Sequence, residues 1–172
     1  MTAFVGFIST LSRLFGIFAA CLVGAAILVV SQMVVMRYFL NASTIWQTEF
    51  VTFSLVAATF IGSPYVALIK GHVNVDLLPH YLGPGGRKAL TLIAASVSVL
   101  FAVVVAWTGF GLWLEAWTEN WRTDTVWSLP LWIPYIAMPL GIGLMALQYI
   151  VEIVCVLSGR DLPFGPEPGG RP

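Results

Sequence analysis

The sequence predicts an all-α integral membrane protein: four transmembrane helices, with short amphipathic helices lying at the interfaces. Three observations predict it. The chain has 172 residues, 59% hydrophobic and 9% charged, where a soluble domain carries about 25% charged residues. Four stretches contain no Asp, Glu, Lys or Arg: 14–36, 50–69, 89–114 and 125–151, of 23, 20, 26 and 27 residues. About 20 apolar residues carry a helix across the roughly 30 Å hydrocarbon core, whereas apolar runs in soluble cores rarely exceed about 14. Finally, Lys and Arg fall unequally on the two sides. With both termini in the cytoplasm, the inner segments hold Arg13, Lys70, Arg87, Lys88, Arg160 and Arg171, and the outer loops hold Arg37 and Arg122. Cytoplasmic loops collect positive charge, so this orientation is the expected one.

The elements follow in order. A single four-span domain is expected over 1–157, with spans at about 14–36, 46–69, 89–113 and 129–155. Ahead of the first span, Phe4, Phe7, Ile8, Leu11 and Phe15 recur at helical spacing, with Thr2, Ser9, Ser12 and Arg13 on the other side. That pattern predicts a short interfacial helix running into span one. The first apolar run exceeds the roughly 7–15 residues of a signal-peptide core and no small-residue cleavage site follows, so it reads as a retained anchor. Thr44 and Gln47 have capping-box spacing and would start span two. Pro64 within span two frees a carbonyl, which Ser63 or a neighbouring helix should satisfy. Span three should continue outward through WLEAWTENWR, with Trp113, Trp117 and Trp121 on one face. Six of the seven tryptophans lie between 107 and 132, as in an outer aromatic belt or a docking surface for an external partner. Pro130, Pro134 and Pro139 predict a bent start to span four, and the small residues after them permit close helix contact. The tail 158–172 is rich in Pro and Gly and reads as disordered and cytoplasmic.

Composition and patterning exclude several functions. Net charge is zero, so there is no basic footprint for nucleic acid. Intramembrane ionisable residues mark ion and proton paths, and the four windows have none. Haem ligation within the spans would need histidines there, yet His72 and His80 both lie between spans two and three. Cys21 and Cys155 form no redox or metal motif. His72, Asp76 and His80 share a helical face, but Pro79 interrupts such a helix and three stacked side chains spread over about 12 Å, too far for one ion. Catalytic, cofactor-binding and metal sites are therefore expected to be absent. Val73, Leu77, Leu78, Tyr81 and Leu82 instead form an apolar stripe, so 69–89 reads as an inner-face helix with a positional role. Arg37 and Glu49 bracket one short outer turn and are expected to meet in a charge-assisted contact, partly shielded by Trp46.

Three motifs in order carry a family resemblance: RYFLNASTIWQTEF after span one, GHVNVDLL after span two, and SLPLWIPYIAMPLGIGLMALQ opening span four. A short four-span chain with these motifs resembles the small membrane subunit, DctQ type, of tripartite ATP-independent periplasmic (TRAP) transporters. The resemblance covers about residues 10–157. It implies that Trp46 and Glu49 match the family's Trp–acid motif, although Thr48 stands where a second acid is common. His72, Val75 and Asp76 match its GH-x-x-VD motif, and Pro130, Pro134 and Pro139 its last-span prolines. It also implies the partners: a large membrane subunit with the substrate and sodium sites, a periplasmic substrate-binding protein, and membrane lipid. The implied role is a fixed support in the bacterial inner membrane during uptake of an organic acid, for example a C4-dicarboxylate. Two other classes suit four apolar spans: a free-standing transporter and the membrane anchor of an enzyme complex. The charge-free spans oppose the first, and the absence of span histidines opposes a haem-bearing form of the second.

Overall fold

A computed structural model describes residues 2–69 and 84–158. The helices are α1 (Thr2–Leu40), α2 (Ile45–Leu68), α3 (Pro84–Thr118), α4 (Trp132–Tyr135) and α5 (Ala137–Leu157). Four helical segments are long and apolar enough to cross a membrane, the fourth being α4 and α5 together over Trp132–Leu157. No strand forms among the described residues, so the fold is the all-α, four-span one that the apolar windows imply.

Neighbour relations define a layer. α1 packs on α2, α2 on α5, and α5 on α3. The N-terminal half of α1 also reaches α5, where Ile8 joins Leu144, Val151 and Cys155. Among the described residues, the backbones of α1 and α2 stay apart from that of α3, although Phe60 of α2 shares an apolar cluster with Ala102 of α3 around Ile142 and Ala146 of α5. The consequence shows in burial: 11% of the apolar window of α1 and 11% of that of α3 is buried, against 28% for α2 and 33% for the fourth span. Helices α2 and α5 form the middle, and α1 and α3 are flanks.

The α2–α5 crossing is built on a proline. Pro64 has no N–H, which frees the Phe60 carbonyl four residues earlier. The Ser63 hydroxyl donates to that carbonyl at 2.8 Å. Gly141 of α5 lies against the same peptide group, and a methyl there would overlap the Phe60 carbonyl. Both expected partners, the serine and the neighbouring helix, thus converge on one oxygen. The α1–α2 contact uses the same principle more loosely: Gly16 faces the Tyr65 ring, and a Cβ on Gly62 would sit 3.3 Å from Ala19. Small residues allow such approaches, and dispersion between the helices then replaces contact with lipid tails.

The start of α1 is one unbroken helix from Thr2, continuous with span one. Its two sides do not separate cleanly: Ile8, Ser9 and Ser12 are buried, while Arg13, Phe4 and Phe7 are exposed. A small hydroxyl inside lets helices approach.

Candidate functional site

The end of the layer that holds the start of α2 and the end of α3 gathers many of the described polar and aromatic contacts. α2 begins at Ile45 after Thr44, the predicted boundary, but the capping box does not form. Thr44 makes no side-chain cap bond, and the Oε1 of Gln47 is buried without a hydrogen-bond partner. Thr48 supplies the closure instead: its N–H and its hydroxyl both donate to the Thr44 carbonyl, at 3.4 Å and 3.1 Å. Gln47 faces inward, 2% exposed, so it cannot reach back to the helix start.

α3 ends at Thr118, one turn earlier than the Trp113–Trp117–Trp121 face requires. Asn120 takes the left-handed conformation, φ 51°, and the Trp121 N–H donates back to the Ala116 carbonyl at 3.1 Å. This is the usual way a helix is closed, and it carries Trp121 off the helix. Its indole N–H donates to Glu119 at 2.8 Å. The chain then forms a narrow hairpin. The Leu131 N–H donates to the Trp121 carbonyl at 2.9 Å and the Thr123 N–H to the Leu129 carbonyl at 3.0 Å. Arg122 and Pro130 face each other in an isolated antiparallel bridge, and Ser128 turns the tip with φ 49°.

The hairpin folds back onto the start of α2. The Thr123 hydroxyl donates to Glu49 Oε2 at 3.1 Å and accepts the Leu129 N–H at 3.0 Å. The Trp46 and Trp127 rings meet edge to face, 6.4 Å between centroids. A second aromatic run, Phe110–Trp113–Trp117, lies along α3 and continues to Trp132 of α4, whose ring is 4.7 Å from that of Trp117. The proposed Arg37–Glu49 contact is not made: Arg37 is exposed at the end of α1, and Glu49 spends one oxygen on Thr123 while its other oxygen is buried without a partner. The intervening turn, with Asn41 at φ 47°, directs Arg37 outward.

The prolines are distributed along the return path. Pro130 closes the hairpin, Pro134 is buried in α4, and Pro139 lies in the first turn of α5. The helical span divides at Ile136, between Pro134 and Pro139, with Ile136 itself in the right-handed helical region. At the opposite end of the layer, the Ser12 hydroxyl donates to Gln148 Oε1 at 3.3 Å in a buried contact, and Ser98 of α3 bonds Tyr149 of α5. His72, Asp76, Leu77 and Leu78 lie outside the described residues. Gly141, one of the small residues expected to permit close helix contact, does so against Phe60. Sequence reasoning missed Thr123, Trp127 and Ser12 as contact residues; Thr123 and Trp127 gave no signal, because their partners are more than seventy positions away, as the 74-residue separation of Thr123 from Glu49 shows.

Among the described residues, Ser12, Ser63, Gln148 and Thr123 serve helix contacts and the hairpin. Residues 26–159 match the family model described as tripartite ATP-independent periplasmic transporters, DctQ component. The chain is 24% identical over 162 residues to the C4-dicarboxylate TRAP transporter small permease protein DctQ of Vibrio cholerae, covering 82% of this chain and 70% of that one. It is 24% identical over 129 residues to the ectoine TRAP transporter small permease protein TeaB of Halomonas elongata, 75% of this chain and 66% of that one. It is 22% identical over 112 residues to the isethionate TRAP transporter permease protein DctMQ of Oleidesulfovibrio alaskensis, 65% of this chain but 18% of that one. A four-span, one-layer chain matched over most of its length in this way belongs to the DctQ-component family of the TRAP transporters.

Proposed function

We propose that this chain is the small accessory subunit of a TRAP transporter in the bacterial inner membrane, a fixed support beside a large membrane subunit. That partner carries the sodium and substrate sites, a periplasmic binding protein delivers an organic acid, and this chain performs no catalysis. The observation that carries the reading is the layer: four spans side by side, with flanks α1 and α3 almost unburied. A single layer encloses no pathway, but it has wide apolar surfaces for lipid and for a second membrane protein. The permease of the isethionate relative is several times longer than the matched stretch, consistent with a small part working inside a larger permease. The relatives' printed substrates are a C4-dicarboxylate, ectoine and isethionate, so substrate choice belongs to the other components. Both termini and the 69–89 segment lie in the cytoplasm in this reading, and the Trp-rich hairpin lies outside.

The test is copurification of the large subunit with tagged small subunit, alongside uptake in cells. In this reading 69–89 braces the inner face through Leu77 and Leu78, and burial of a Leu is worth about 1.5–3 kcal/mol. Replacing both by Ser reduces copurification and uptake, whereas His80→Ala leaves both near wild type. Uptake lost on His80→Ala, with the leucine pair tolerated, contradicts the brace.

A further inference from the structure

We propose that Glu49 is the anchor of an outer strap, and that it acts as a hydrogen-bond acceptor rather than as a charge. The two middle and flank pairs, α1–α2 and α3–α5, meet through α2 and α5, while the backbones of α2 and α3 stay apart among the described residues. The hairpin 121–131 leaves α3 and re-enters the layer at α4, and on its way it is tied to α2 at two points. One is the Thr123 hydroxyl on Glu49 Oε2, at 3.1 Å. The other is the Trp46–Trp127 ring pair. The Thr123 hydroxyl also accepts the Leu129 N–H, so one oxygen links the hairpin's own register to α2. Glu49 has no cation partner among the described residues, and its Oε1 is buried without any partner. A carboxylate kept in place for its charge would be expected to face a cation; one that anchors a hydroxyl needs an oxygen. The strap follows from this chain's own contacts and holds whichever subunit lies beside it.

The distinction predicts an order among four variants. Glu49→Gln keeps an acceptor for Thr123 and removes a partly buried charge. Glu49→Ala removes the acceptor. Thr123→Ser keeps the hydroxyl and Thr123→Val removes it. Strap opening can be read directly, because the Arg122–Thr123 bond lies inside the hairpin and trypsin requires a locally opened chain. The full chain, solubilised in detergent, is digested briefly, and the fragment beginning at Thr123 is quantified by mass. Cleavage should rise about tenfold in Glu49→Ala and Thr123→Val, and stay within about twofold of wild type in Glu49→Gln and Thr123→Ser. Where Glu49→Ala does not accumulate, the two Thr123 variants and Glu49→Gln still decide. Glu49→Gln cleaved as fast as Thr123→Val would overturn the acceptor role in favour of charge. Thr123→Val cleaved at the wild-type rate would overturn the strap itself.

Discussion

Gly141 and Gly143 stand two residues apart on α5 and meet opposite surroundings. A methyl on Gly141 would overlap the Phe60 carbonyl of α2, and a methyl on Gly143 would meet nothing within 4 Å. The first marks the middle of the layer, where two backbones touch; the second marks an outward surface. The same contrast separates whole helices. α2 and α5 meet in backbone contact, Gly141 against the Phe60 peptide group. α1 and α3 present Ile27, Leu28, Leu100 and Phe101 outward, each more than 60% exposed. In this family member the fixed part is the α2–α5 crossing, and the flanks are surfaces awaiting lipid or a partner.

Substitutions at the two glycines sharpen that contrast most. Gly141→Ala should cost about 1–3 kcal/mol, as overpacking does, because the obstacle is backbone and cannot swing away. Gly143→Ala should change stability by no more than about 0.5 kcal/mol. Thermal unfolding of the detergent-solubilised chain compares them; equal midpoints would remove the crossing from the account. A smaller effect is expected at Ser63. Ser63→Ala leaves the Phe60 carbonyl without its hydroxyl donor and should cost about 1 kcal/mol, whereas Ser63→Thr should restore it. Smaller again is the inner contact. Intramembrane side-chain hydrogen bonds average about 0.6 kcal/mol, so Ser12→Ala and Gln148→Leu should each shift the midpoint slightly, and the double variant no more than the larger single. Strict additivity would show that the two side chains act separately. The smallest effect on the isolated chain belongs to the flank: Leu100→Ala, at a site 67% exposed, should stay within about 0.5 kcal/mol. A clear loss of copurifying large subunit from the same variant would show that this part of α3 is covered by protein, and unchanged copurification would assign it to lipid.

These contacts also show what the sequence made legible. Charge-free length was enough to find four spans, because the lipid core imposes a minimum run on any crossing helix. Pro64 was legible for a related reason: a carbonyl freed inside a membrane must find a donor, and Ser63 stood beside it. The hairpin was not legible. Its contacts join Thr123 to Glu49 and Trp127 to Trp46, and no local periodicity encodes a pairing across the lengths of α2 and α3. The Arg37–Glu49 expectation failed on geometry: adjacency across a short turn fixes depth, while the rotation of each helix decides where its side chains point. In the N-terminal turns of α1, Ser9 and Ser12 are buried beside Ile8, because in lipid small polar residues can pack between helices.

The central claim is that this chain supports transport without providing a route for it. Purified small subunit reconstituted alone in liposomes, with a sodium gradient and the binding protein loaded with its own substrate, tests that claim most directly when compared with liposomes that also contain the large subunit. Uptake only in the presence of the large subunit, and raised there by the small one, is the predicted result. Sustained uptake by the small subunit alone would contradict it.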